Sequence, residues 1–124
     1  SKLNPDISLI GNFVVYDKTG TMPHIGYFGR QFSMFPIIKQ SDIMKIGGYF
    51  STEFNAFYSD PDLGVTLAEH GGKIINSNRA TIFHPYNPDS LHLYNKSEYF
   101  QKDEEIFKKK WNHLGDFKGC EVIK

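Results

Sequence analysis

Two acidic residues, Asp60 and Asp62, lie where the sequence predicts that a loop turns into a helix. Ser59 is a favourable N-cap residue, Pro61 suits the first helical position, and Asp62 would complete a Ser-x-x-Asp capping box. The pattern predicts a short helix from about Pro61 to His70. Carboxylates at a helix start are stabilised by the helix dipole, and the simplest interpretation gives both acids this role alone. A carboxylate in this position can also act as a general base.

The surrounding sequence predicts a mixture of strands and short helices. Runs of β-branched and aromatic residues indicate strands at 8–16, 33–39, 73–77 and 80–84. Residues 21–32 contain glycines and a proline among aromatics, which is typical of a loop or an irregular hairpin arm. Ser41 is expected to cap a helix over residues 42–46 that Gly47 and Gly48 end.

The last long element is predicted to be an amphipathic helix over residues 97–114, capped by Ser97. Its apolar stripe consists of Phe100, Ile106, Phe107, Trp111 and Leu114. The charged residues 102–105 and 108–110 are expected to cover the other side, with the acids N-terminal to the bases. Trp111 is interpreted as a core residue.

Composition indicates one globular domain over residues 1–124. The chain has 40% hydrophobic residues, and its 14 basic and 14 acidic residues cancel. The absence of net charge argues against bulk binding of nucleic acid or an anionic membrane surface. Apolar runs are too short for a transmembrane helix, and the single cysteine fits a reducing setting. We therefore expect a cytoplasmic protein, associated with a membrane only through other parts of its parent protein.

A wider pattern extends over about residues 8–114. It runs through Ile43-Met-Lys-Ile-Gly-Gly48, Ser59-Asp-Pro-Asp-Leu63, Gly71-Gly-Lys-Ile74 and Ala80-Thr-Ile-Phe-His84. In order and spacing it resembles the second half of family 2 glycosyltransferases, the GT-A type of nucleotide-diphospho-sugar transferase. The resemblance implies an α/β chain with a partial GT-A fold, in which a short mixed sheet is flanked by helices.

The resemblance also implies roles for individual residues. Asp60 matches the base that takes the acceptor proton in an inverting transfer. Asp62 matches the second acid, assigned to substrate binding or to the helix cap, and Phe57 and Tyr58 are expected to line the acceptor cleft. His84 matches a metal ligand near the leaving diphosphate. The intact enzyme would then use a nucleotide-sugar donor, a glycan or other hydroxyl acceptor, and a divalent metal, Mn or Mg.

The chain departs from the family pattern in two ways. Ser59 replaces the acid that usually precedes the base, and Thr66 replaces a basic residue that often follows the second acid. The nucleotide-binding half and its metal-binding Asp-x-Asp are not found in the sequence either. We therefore expect the chain to be the acceptor-side part of a catalytic domain, inactive when isolated, and to self-associate as a homodimer through surfaces that the missing half would cover.

Two other function classes stay open at this point. The first is a non-catalytic binding or interaction domain on a transferase-like scaffold. The second is an unrelated metal-dependent hydrolase using Asp60, Asp62, His84 and His92, although their spacing matches no recognised ligand set.

Overall fold

The computed structural model describes residues 7–16, 20–22, 25–33, 35–48, 51–55, 57–83, 98–115, 117 and 121–122. The strands are β1 (Ile7–Tyr16), β2 (Gly20–Met22), β3 (Ile25–Tyr27), β4 (Arg30–Phe32), β5 (Ile37–Ile38), β6 (Lys73–Phe83) and β7 (Glu121–Val122). The helices are α1 (Gln40–Lys45), α2 (Ser59–Glu69) and α3 (Glu98–Trp111), and a 3₁₀ turn, Asn112–Leu114, extends α3.

The larger sheet is mixed and is organised around β1. Strands β2 and β5 pair antiparallel with β1, and β6 runs parallel to it. The parallel pair includes Leu9 beside Ile74 and Val14 beside Ile82. Parallel neighbours need a long crossover connection, and here the chain between β1 and β6 contains both α1 and α2.

The smaller sheet is antiparallel, in the order β4, β3, β7. Strands β3 and β4 form a hairpin whose turn residues Phe28 and Gly29 have φ of 54° and 73°. Helix α2 packs closely on this hairpin. A Cβ atom added at Gly64 would overlap the carbonyl oxygen of Gln31 and lie 2.8 Å from Cβ of Phe32. Glycine is therefore required where the helix crosses the strand.

Two groups of buried side chains hold the helices in place. Leu63 and Leu67 of α2 pack with the half-buried Ile38, Ile46 and Ile74. A larger aromatic group joins α2 and α3 to the hairpin and consists of Phe28, Phe57, Tyr58, Val65, Phe107 and Trp111. Burial of the aromatic rings supplies much of the apolar area in this small chain.

The predicted mixed α/β organisation is confirmed, with differences in individual elements. The 33–39 strand is reduced to β5, the two strands expected at 73–84 form one continuous β6, and the 21–32 segment contains three short strands. Gly47 and Gly48 follow α1 with positive φ, as predicted, but Ser41 lies inside α1, which begins after Lys39 without a side-chain cap. Ser97 and the connector at 85–90 lie outside the described residues.

No helix within the described ranges is long and apolar enough to cross a membrane.

Candidate functional site

The start of α2 differs from the sequence prediction. The helix begins at Ser59, and its N-cap is Tyr58, which has the left-handed conformation with φ 69° and ψ 1°. The amide of Asp62 donates to the carbonyl of Tyr58 at 2.9 Å. Neither Ser59 nor Asp62 makes a side-chain cap, so the predicted capping box is wrong. The helix thus starts about two residues earlier than predicted, directly after the left-handed Tyr58.

Asp60, the predicted base, lies half-buried in the first turn of α2. Burial raises the pKa of its carboxyl to about 6. A carboxylate with a pKa near the working pH can both accept and release a proton, which is the property required of a general base. Asp60 and Gly64 are one turn apart on the same face of α2, so this face is the one directed to the β3–β4 hairpin.

Asp62 has a different environment from Asp60. Its side chain is buried, and one carboxylate oxygen accepts a 2.8 Å hydrogen bond from Nε1 of Trp111 on α3. Nζ of Lys110 lies 3.0 Å from the same oxygen and donates to the other at 3.2 Å. The carboxylate therefore joins α2 to α3. The sequence missed this role because the two elements are 48 residues apart.

Lys110 is shared between two carboxylates. It donates to Glu53 in the preceding loop at 2.7 Å, as well as to Asp62. Burial alone would lower the pKa of Lys110, but the hydrogen bonds to Glu53 and Asp62 outweigh burial and raise it. The hydrogen bond with Lys110, and then that with Ser51, lowers the pKa of Glu53. The lysine is therefore charged and ties the 51–55 loop to α2.

A cavity of about 330 Å³ lies beside this network, on the Asp62 side of α2. Its lining comprises Ile46, Gly47, Gly48, Ser51, Thr52, Asp62, Leu63, Thr66 and Lys110. Ser51, Thr52 and Thr66 contribute hydroxyl groups, and Asp62 and Lys110 contribute a negative and a positive charge. The two glycines expose backbone polar groups. Thr66, which replaces the basic residue expected from the family pattern, donates its hydroxyl to the carbonyl of Asp62 at 2.7 Å. Asp60 is not part of the lining.

The two aromatic residues predicted to contact substrate lie in the core. Phe57 and Tyr58 are 7% and 8% exposed. Phe57 packs edge-on against Phe100, and the Tyr58 hydroxyl donates to Glu104 at 2.7 Å. Burial, followed by this hydrogen bond, raises the pKa of Tyr58. Their rings therefore hold the start of α2 against α3 and are not open to stack on a sugar.

Asp103 was missed as a site residue. The sequence placed it on the charged, solvent-facing side of the last helix, yet it is 0% exposed. Its carboxylate accepts hydrogen bonds from the backbone amides of Asn55 and Phe57 at 3.0 and 2.8 Å. The signal available in the sequence was weak. Asp103 lies four residues before Phe107, so it shares a helix face with a predicted core residue.

The predicted metal ligand His84, like His92, lies outside the described residues. Within the described part of the chain, no group of three or more His, Cys, Asp or Glu side chains could hold a metal ion. The expected Mn or Mg therefore stays a prediction.

No known protein family, curated protein or solved structure matches this chain.

Proposed function

We propose that this chain is the acceptor-side part of an inverting glycosyltransferase with a GT-A type of fold, and that Asp60 is its general base. The observation that carries the proposal is the half-buried Asp60 carboxyl, whose pKa burial raises to about 6. Burying a carboxyl without a charged partner is unfavourable, and such groups are concentrated at functional sites. The order of motifs from Gly47-Gly48 to Ser59-Asp-Pro-Asp-Leu63 supports the same assignment.

We assign the cavity to a hydroxylated part of the acceptor that does not react, because Asp60 does not line it. A volume of about 330 Å³ exceeds that of a single sugar ring, and its hydroxyl-bearing lining residues Ser51, Thr52 and Thr66 can exchange hydrogen bonds with sugar hydroxyls. The lining contains one carboxylate, that of Asp62, and one ammonium group, that of Lys110, and they lie 3.0 Å apart. A lining with balanced charge favours an uncharged ligand over a phosphate or a cation.

In the proposed reaction the acceptor hydroxyl gives its proton to the Asp60 carboxylate as its oxygen attacks the anomeric carbon of the donor sugar. The new carbon–oxygen bond forms on the face opposite the leaving nucleoside diphosphate, whose bond to the same carbon breaks, so the configuration inverts. Asp60 must be ionised before the attack and neutral after it. A pKa of about 6 allows both states near neutral pH.

The proposal is tested by replacing Asp60 in the protein that contains this chain. Asp60→Asn should lower the transfer rate by about a hundredfold or more and leave donor affinity nearly unchanged. Glu69→Gln is the matched control, because Glu69 is an acid of the same helix that pairs with Arg30 at the surface. Near-normal transfer by Asp60→Asn would reject the assignment of the base.

A second candidate is a binding domain on the same scaffold without catalysis. It is favoured by the position of the cavity, which is lined by Asp62 and Lys110 and not by Asp60. Under this alternative a glycan binds with the same affinity to wild-type protein and to Asp60→Asn, and no transfer occurs with any nucleotide-sugar. Calorimetry with a glycan series, combined with a transfer assay, distinguishes the two candidates.

A further inference from the structure

The residue before α2 has a backbone conformation that needs support. Tyr58 has φ 69°, and the left-handed region is unfavourable by roughly 1–2 kcal/mol for a residue with a side chain. Such a conformation persists only where the surrounding structure over-determines it. Tyr58 is two residues before Asp60, so whatever holds Tyr58 also determines where the Asp60 carboxyl lies.

Side chains of α3 supply this support from two directions. The side chain of Tyr58 is held by its hydroxyl, which donates to Glu104 at 2.7 Å, and by its ring, whose centroid lies 5.1 Å from that of Phe107. The backbone before Tyr58 is held by Asp103, whose carboxylate accepts from the backbone amides of Asn55 and Phe57. The side-chain amide of Asn55 lies 3.4 Å from the same carboxylate. Consecutive residues of α3 thus hold both the ring of Tyr58 and the chain leading into it.

The chemistry of Asp103 suits it to this task. An ionised carboxylate only accepts hydrogen bonds, and its two oxygens meet the two backbone donors of the loop. Hydrogen bonds to a charged acceptor are about twice as strong as neutral ones. An asparagine at this position would have one oxygen and one NH₂ group, and the NH₂ group would face a backbone donor. The loop specifically requires an acid.

We propose that Asp103 is a positioning residue for Asp60: by binding the amides of residues 55 and 57 it fixes the left-handed Tyr58 and keeps the Asp60 carboxyl half-buried at the start of α2. The catalytic consequence rests on the proposed function, but the positioning does not. Loss of the Asp103 contacts allows the first turn of α2 to move toward solvent, where the Asp60 carboxyl gains water.

The direct test is a carboxyl NMR titration of Asp60 in the full chain. In wild-type protein the midpoint should lie at about 6. In Asp103→Asn it should fall by about one unit or more as hydration restores the ionised form. Burial is the cause of the raised Asp60 pKa, so a lower midpoint reports hydration of the carboxyl. Glu98→Gln is the matched control, since it removes an exposed acid from the same helix and should change nothing.

Two results would overturn the proposal. One is a folded Asp103→Asn variant whose Asp60 midpoint equals that of wild type, and the other is a wild-type midpoint near the ordinary value for Asp. If the Asp103→Asn variant does not fold, hydrogen exchange on wild-type protein tests the Asp103 contacts instead. The amides of Asn55 and Phe57 should exchange as slowly as that of Leu67 inside α2, and exchange as fast as that of the exposed Thr52 would contradict the Asp103 contacts.

The titration tests the positioning by Asp103, and the transfer assay tests the proposed function. If Asp103→Asn lowers the Asp60 midpoint while wild-type protein transfers no sugar, the positioning holds and the proposed function fails. If Asp60→Asn abolishes transfer while Asp103→Asn leaves the Asp60 midpoint and the transfer rate unchanged, the function holds and the positioning fails.

Discussion

Nε1 of Trp111 donates a 2.8 Å hydrogen bond to the buried carboxylate of Asp62, and this contact joins the last helix of the described chain to the helix that bears the proposed base. Both side chains are nearly inaccessible to water, at 9% and 3% exposed. A buried indole N–H needs an acceptor, and a buried carboxylate needs donors. The pair satisfies both requirements at once, and Lys110 balances the charge.

This relationship predicts different costs for two replacements of Asp62. Asp62→Ala should lower the free energy of unfolding by about 2–4 kcal/mol, because it leaves Nε1 of Trp111 buried without an acceptor and deprives Lys110 of one partner. Asp62→Asn keeps one acceptor oxygen and should cost about 1 kcal/mol. Urea denaturation of both variants measures the difference. Equal costs would show that the indole hydrogen bond contributes nothing.

A second prediction concerns the close contact between α2 and β4. Gly64→Ala should lower the free energy of unfolding by about 1–3 kcal/mol, since the new methyl group would overlap the carbonyl of Gln31 and Cβ of Phe32. Elsewhere in a helix the same change is stabilising by roughly 1 kcal/mol. Ala68→Gly on the same helix is the control and should cost about 1 kcal/mol. A stabilised Gly64→Ala variant would mean that the helix lies farther from the strand.

The raised pKa of Asp60 makes stability depend on pH. Its folded pKa of about 6 lies above the unfolded value of about 3.9, so the unfolded chain ionises first as the pH rises. The contribution of Asp60 to stability is therefore greatest below pH 4 and declines between about pH 4 and 6. Asp60→Asn should stabilise the protein at pH 7 by about 1–2 kcal/mol, allowing for solvent screening of a half-buried group.

Urea denaturation of wild type and Asp60→Asn at pH 4 and pH 7 tests this dependence. The stabilising effect of the asparagine should be present at pH 7 and absent at pH 4. A variant that gains stability equally at both pH values would show that ionisation of Asp60 is not the cause.

A fourth prediction addresses the cavity. Thr66→Leu should weaken acceptor binding by about tenfold or more, since the larger side chain fills the cavity and removes a hydroxyl from its lining. Ala68→Leu is a control of the same final size on the same helix, and Ala68 lies beside Arg30 and Ile74 instead. Calorimetric titration with the acceptor compares the two. Equal affinities would place the acceptor elsewhere.

The parts of the fold that depend on local sequence were predictable. Three such parts are the amphipathic pattern of the last helix, the glycines that end α1, and the β-branched run that forms β1. Each is determined by residues that are close together in the sequence. The roles of Asp62 and Asp103 were not predictable in this way. Each role depends on a partner more than 40 residues away in the sequence. The residues flanking an acid in a helix do not indicate whether its side chain is exposed or buried.

The left-handed Tyr58 is a third case that local sequence did not indicate. A bulky aromatic residue is a poor choice for positive φ, so the rules of capping pointed to Ser59. Contacts with α3 overrule that preference in the folded chain. Asp60 was predicted to be a base from its place in a motif, which stays a prediction, while its burial emerged only from the packing of α2.

The pH dependence of sugar transfer tests the central claim most directly. With the protein that contains this chain, kcat/KM should rise with pH and level off above about 6, where Asp60 is ionised. In Asp60→Asn the rate should fall by about a hundredfold or more and should lose this rise, while Glu69→Gln should retain the wild-type profile. A wild-type profile that is flat between pH 5 and 8, or one that Asp60→Asn leaves intact, would contradict the assignment of Asp60 as the base.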